Sequence, residues 1–135
     1  MSRVLRGAPL FAVGLTLVLA VAPARAQDPH EVPVVKGDAG PCSADFAVSD
    51  ASGRPIYNAR IRVLVRYGFA GARKTELEAG TNADGKARFE GLPQKPKGAL
   101  EYTVQKDADS KTVTQDPRAK CQARFAVSLG TPPKP

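Results

Sequence analysis

From Ala59 to Tyr67 the chain alternates without a break. Ala59, Ile61, Val63, Val65 and Tyr67 hold one parity, and Arg60, Arg62, Leu64 and Arg66 hold the other. Side chains at i and i+2 share a face of a strand, whereas a helix brings i, i+3 and i+4 together. A segment with this pattern can bury its apolar half only as a strand with one face to solvent. The pattern recurs at Ala44, Phe46 and Val48, at Ala87 and Phe89, at Leu100, Tyr102 and Val104, and from Cys121 through Ala123, Phe125, Val127 and Leu129. Shorter strands are expected over 74–79 and 111–114. Turn chemistry separates them: Asp50 to Pro55, Gly68 to Gly71, Asn82 to Gly85 with its Asp-Gly pair, and a Pro/Lys loop opened by Gly91-Leu92-Pro93 and running to Gly98. The result is all-β, about seven strands and no helix in this region. Two antiparallel sheets packed face to face bury such a pattern.

The N-terminus has a different character. Arg3 and Arg6 precede an apolar run from Leu10 to Ala22, and Ala24-Arg25-Ala26 closes the stretch with a small-x-small site. This is the order of a secretory signal peptide spanning 1–26, with cleavage after Ala26. The run is shorter than the ~20 apolar residues of a comfortable membrane span. A periplasmic or secreted protein is expected, with no membrane span once the signal is removed. Residues 27–41, with Pro29, Pro33, Pro41, Gly37 and Gly40, read as a Pro/Gly-rich linker in which Val32, Val34 and Val35 can lie along a sheet edge. The β-sandwich domain is placed at 42–129, and 130–135 is a Pro-rich tail.

Removing the first 26 residues takes three of the twenty Lys and Arg and none of the thirteen acids, so the charge falls from +7 to +4 over 109 residues. That is one small domain, without the charge density of a nucleic-acid binder. Trp is absent and aromatics make up 6% of the chain, so the core is small and gains from a covalent staple. Cys42 and Cys121 are the only cysteines, and an oxidising compartment pairs them. Their separation of 79 residues is unlike that of a redox-active pair and suits a structural disulfide. Because each cysteine opens a strand, the bond places both strand starts at one end of the sandwich, with the strands running roughly the same way, either paired in one sheet or facing across the core.

Two stretches carry a likeness to a known family. Val48-Ser49-Asp50-Ala51-Ser52-Gly53-Arg54-Pro55 leads into Ala59-Arg60-Ile61-Arg62-Val63, and Thr81-Asn82-Ala83-Asp84-Gly85-Lys86-Ala87-Arg88-Phe89 leads into Gly91-Leu92-Pro93. Together they resemble the carboxypeptidase regulatory-like domain family, over roughly Ala44 to Val127. The resemblance implies a single Ig-like, transthyretin-like β-sandwich and an accessory, adhesive or carbohydrate-associated role. The family usually appends this module to a larger protein.

Enzymes on related sandwiches depend on histidines, and the chain has one, His30, in the linker beside Asp28 and Glu31. The multi-histidine sites of hydroxyisourate hydrolases, copper–zinc dismutases and intradiol dioxygenases are therefore not expected. A Ser-His-Asp or Cys-His centre is not expected either. Glu76, Glu78, Glu90 and Glu101 fall in strand patterns that solvate them, which argues against a two-carboxylate glycosidase. Asn82-x-Asp84-Gly85 lacks the spacing and closing Glu of a calcium loop and reads as a hairpin turn. The expectation is a non-enzyme with no cofactor and no metal site.

The remaining feature is basic. Arg60, Arg62 and Arg66 share the solvent face of their strand, at ~7 Å per two-residue step. Arg73 and Lys74 follow the loop, and Lys86 and Arg88 alternate outward in the same manner. If these strands adjoin, Arg60, Arg62, Arg66 and Arg88 form an anion-binding face; otherwise the Glu residues neutralise a solvated surface. Leu64 and Phe69 are the apolar residues expected to be exposed. The function expected is an exported binding module whose partner is a protein or an anionic envelope glycan. The alternative is a structural or accessory subunit of a cell-envelope assembly, docking by an edge strand.

Overall fold

A computed structural model describes Gly7 and residues 12–20 and 28–131. Arg3, Arg6, the Ala24-Arg25-Ala26 site and residues 132–135 lie outside the described residues. Residues 12–20 are exposed, and their backbone hydrogen bonds run only within that stretch. The sandwich is built from Asp28 onward.

Eight strands make two four-stranded sheets. They are β1 (Val34–Lys36), β2 (Cys42–Asp50), β3 (Arg60–Tyr67), β4 (Arg73–Gly80), β5 (Lys86–Leu92), β6 (Leu100–Lys106), β7 (Asp109–Gln115) and β8 (Gln122–Leu129). Sheet I has the order β1-β5-β2-β8 and sheet II the order β4-β3-β6-β7. All seven strands expected between 42 and 129 are present. The eighth, β1, comes from the segment read as a linker: Val34, Val35 and Lys36 pair in parallel with Arg88, Phe89 and Glu90 along the edge of sheet I. The Pro/Lys loop begins later than expected, because β5 continues through Leu92, opposite Cys42.

Alternation decides which face is buried. Ile61, Val63 and Val65 of β3 are at most 1% exposed, while Arg60, Arg62, Leu64 and Arg66 between them face solvent. Against this layer sheet I sets Ala44, Phe46 and Val48, with Ala87, Phe89 and Leu92. Phe46 is the hub of the aromatic contacts. Its ring lies 4.9 Å from Tyr102, 5.1 Å from Phe125 and 5.8 Å from Phe89. With no Trp available, these four rings supply the large-volume packing that Val and Ala cannot.

Cys42 and Cys121 are disulfide-bonded, with their Cα atoms 4.6 Å apart. β2 and β8 pair in parallel from Ser43↔Gln122 to Asp50↔Leu129, so both run the same way from the bridged end. Parallel neighbours require a long connection. Here that connection is most of the domain, and the disulfide closes it where the pairing begins. Beside it lies a buried polar link: the Tyr102 hydroxyl donates to Gln115 Oε1 (2.7 Å), and Gln115 Nε2 donates to the carbonyls of Lys120 (2.9 Å) and Ser43 (3.2 Å).

The 82–85 turn is held by Asn82, whose side-chain oxygen accepts from the backbone N–H of Asp84 and of Lys86. Gly85 has φ +73°, and a Cβ there would run into the Val48 carbonyl oxygen. Val48 in turn donates to the Gly85 carbonyl at 2.7 Å. The turn therefore packs onto β2 too closely for any side chain at this position.

Candidate anion-binding site

The outward face of sheet II is set by register. Arg62 stands opposite Glu78 of β4 and Thr103 of β6, Arg60 opposite Gly80 and Gln105, Leu64 opposite Glu76, and Arg66 opposite Lys74. Glu78 serves two arginines: its carboxylate lies 3.2 Å from Arg62 Nε and 3.8 Å from Arg60 Nε. Two of the three expected arginines are thus partly compensated by one acid.

Arg66 is in a different position. Its direct cross-strand neighbour is a second cation, Lys74, and among the described residues no carboxylate approaches either within ion-pair distance. Two further cations lie by the 68–71 turn, Arg73 with the parity opposite to that of Lys74. The Arg73 stem packs over Gly68, and the Lys97 stem lies over Gly71, where any Cβ would collide with it. The backbone N–H of Lys97 donates to the Arg66 carbonyl at 2.8 Å, which brings the Pro/Lys loop to the end of β3. Glu76 and Glu101 border the same hollow of about 500 Å³ beside Arg66 and Lys97, and neither forms an ion pair there. Like charges opposed across a ladder are unfavourable, so an anion bound at this corner would relieve repulsion as well as gain hydrogen bonds.

Arg88 does not join this row, which corrects the expectation of a four-arginine face. β5 belongs to sheet I, so Lys86 and Arg88 project from the opposite side of the sandwich. Arg88 Nη1 donates to both Asp45 oxygens (2.8 and 2.7 Å), and its Nε donates to Glu90 (2.8 Å). These bonds, Asp45's first, hold its pKa above the ordinary arginine value. Its Nε and Nη1 are committed within the protein, and it acts as a strut across β5 and β2. Sequence alternation gives the parity of each strand but does not say which sheet it enters.

Between β3 and β4 the chain turns through Phe69–Gly71, a short 3-10 turn. Gly68, Ala70 and Gly71 all have positive φ (81°, 55° and 69°). For Ala70 the left-handed conformation costs about 1 kcal/mol. This geometry turns Phe69 outward, where it is 95% exposed, the most of any large apolar residue described; Leu64, on the outward face of β3, is 47% exposed. Lys97 and the pairing of Arg66 with Lys74 escaped the sequence reading, because both depend on which strands and loops meet.

His30 lies against the 82–85 turn, with Nδ1 3.1 Å from both Asp84 carboxylate oxygens. Its carbonyl accepts from Asn82 Nδ2 (3.0 Å), and the Ala83 N–H donates to the Pro29 carbonyl (2.9 Å). These bonds fasten the segment before β1 to the sandwich. Among the described residues, no three or more His, Cys, Asp or Glu side chains converge as metal ligands would. Nor is any helix among them long and apolar enough to cross a membrane.

No family model and no curated protein matches the chain. Solved structures do. Catechol 1,2-dioxygenase from Pseudomonas arvilla C-1 superposes with a TM-score of 0.50 at 11% identity, over 74% of this chain and 58% of that one. The catechol 1,2-dioxygenase from Acinetobacter sp. ADP1 gives 0.45 at 13% identity, over 73% and 58%. The fimbrial protein FimP from Actonomyces oris gives 0.41 at 14% identity, over 73% and 31%. This chain therefore spans a little over half the length of the dioxygenases. At these identities the likeness is one of fold alone, and the fold is a β-sandwich.

Proposed function

We propose that the chain is a non-enzymatic, exported binding module whose partner is a protein or an anionic glycan of the cell envelope. The observation that carries this reading is the corner of sheet II, where Arg66 faces Lys74 and Lys97 lies beside Arg66, none of them ion-paired among the described residues. Guanidinium and ammonium groups in such an array suit the carboxylates or phosphates of an acidic partner. The family reading, a relative of carboxypeptidase regulatory-like modules, has the support of the sandwich itself and of turns at 50–55 and 82–85. Export has the support of the N-terminal pattern and of a disulfide, which persists in an oxidising compartment.

The test compares two pairs of substitutions. R66Q/K74Q should weaken binding to an anionic polysaccharide, whereas R60Q/R62Q should weaken it less, because Glu78 already offsets those charges. Both should leave the melting temperature nearly unchanged, since exposed charges contribute little to stability. Equal effects of the two pairs, or none, would remove the corner from the reading. Export predicts that protein from the native host begins at Gln27; a mature form beginning at Met1 overturns it.

A second reading, docking by strand addition, is favoured by β8, which pairs with β2 on one side only along eight residues. A partner docked there would slow hydrogen exchange at β8 amides. Unchanged exchange in the presence of envelope extract would remove that reading.

A further inference from the structure

We infer that the Phe69 tip seats the protein on an anionic lipid surface, with the Phe69 ring entering the bilayer interface and Arg66, Arg73, Lys74 and Lys97 meeting the phosphates around it. The inference rests on the reading that this corner binds anions, and it adds what carries them.

Three observations lead to a lipid surface rather than to a soluble ligand. The first is shape. Small-ligand sites are concave and cover most of the ligand. Phe69 instead stands 95% exposed at the apex of a turn, with nothing packed over it. A convex apolar tip finds an environment only by entering a soft apolar phase. The second is backbone commitment. Gly68, Ala70 and Gly71 all adopt positive φ within four residues, and the Arg73 and Lys97 stems lie against Gly68 and Gly71. The loop holds Phe69 outward although folding it back onto the sandwich would cover the ring. The third is the arrangement of charge. Cations border the tip, with Arg73 against Gly68, Lys97 against Gly71 and the Arg66–Lys74 pair at the adjoining strand ends, and Arg66 and Lys97 also line the hollow beside it. Glu76, opposite Leu64 and two residues from Lys74, and Glu101 share that hollow, and among the described residues neither is ion-paired. Interfacial binding strength follows buried apolar area plus attraction to anionic headgroups, and this corner offers both.

The experiment uses the chain from Gln27 onward, because among the described residues every sandwich contact is made from Asp28 on, and the apolar run before it would bind lipid by itself. Binding is measured by co-sedimentation with phosphatidylglycerol vesicles and with phosphatidylcholine vesicles, and to dextran sulfate as a soluble anion. The wild type should bind phosphatidylglycerol vesicles over phosphatidylcholine, and release at 1 M salt, where screening shortens to about 3 Å. F69S should weaken vesicle binding about tenfold or more and leave dextran sulfate binding unchanged. Each of R66Q, K74Q and K97Q should weaken both about fivefold. Dextran sulfate binding without vesicle binding, or vesicle binding indifferent to F69S, would overturn the lipid inference and leave the anion-binding reading standing. Binding to neither would overturn both. Thermal melts of each variant report whether the fold is retained, and G71A, which would collide with the Lys97 stem and displace it, should reproduce the loss of vesicle binding with the ring still present.

Discussion

Tyr102 and Gln115 form the most consequential polar contact inside the sandwich. Tyr102 is fully buried on β6 and Gln115 is 3% exposed at the end of β7. Their 2.7 Å hydrogen bond leads on to the carbonyls of Lys120 and Ser43 at the bridged end of sheet I. Tyr102→Phe keeps the ring packed on Phe46 but leaves the Gln115 carboxamide oxygen buried without a donor, which costs about 1–2 kcal/mol. Gln115→Met strands the phenol and two carbonyls and should cost about 2–3 kcal/mol. The double substitution should cost less than the sum by about 1 kcal/mol, since the same bond is removed twice. In a domain of this size Tyr102→Phe should lower the melting temperature by roughly 5–10 °C.

The pH dependence gives a second handle on the same residue. Burial pushes the Tyr102 phenol far above its ordinary value of 10.0. Above that value the unfolded chain gives up the proton while the folded one keeps it, so the contribution is fully present below pH 10 and is lost as pH rises. At pH 11 the loss is on the order of 1 kcal/mol. Tyr102→Phe has no phenol to titrate, so urea midpoints of wild type and variant should converge near pH 11. A variant matching wild type at pH 7, or a gap that stays constant to pH 11, would refute the account of this contact.

Three further outcomes follow from the same structure. Reducing the Cys42–Cys121 bond, or replacing both cysteines with Ala, frees a loop closed over 79 residues and should cost about 4–5 kcal/mol by chain entropy, read from urea unfolding with and without reductant. Gly85→Ala should cost more than about 2 kcal/mol, since it combines a positive φ with a collision at the Val48 carbonyl; a thermal melt within 2 °C of wild type would contradict that. Arg88→Gln should cost about 1 kcal/mol by severing the strut to Asp45 and Glu90, and Arg66→Gln should cost less than about 0.5 kcal/mol. The reverse order would mean that the two faces have been assigned wrongly.

Strand identity and facing were legible in the sequence because they depend on local rules. Alternation at Ala59–Tyr67 and at Cys121–Leu129 told which side chains point inward, and Asp-Gly at 84–85 told where the chain reverses. The pairing of Cys42 with Cys121, and the common direction of the two strands they open, was legible as well, since a covalent constraint reaches across the whole chain. Three valines at 32, 34 and 35 marked a sheet edge, but the choice of parallel pairing with β5 was not visible there.

Tertiary structure decided the rest. Parity is a property of one strand, whereas a binding face belongs to several, and only sheet order says which rows meet. That order set Arg88 behind Asp45 and Glu90 on one side of the sandwich and left Arg66 facing Lys74 on the other. It also carried Lys97, from a loop without alternation of its own, to the end of β3. Charges interact through space at a few ångströms, so whether each cation is cancelled or left available rested on contacts between residues far apart in the chain.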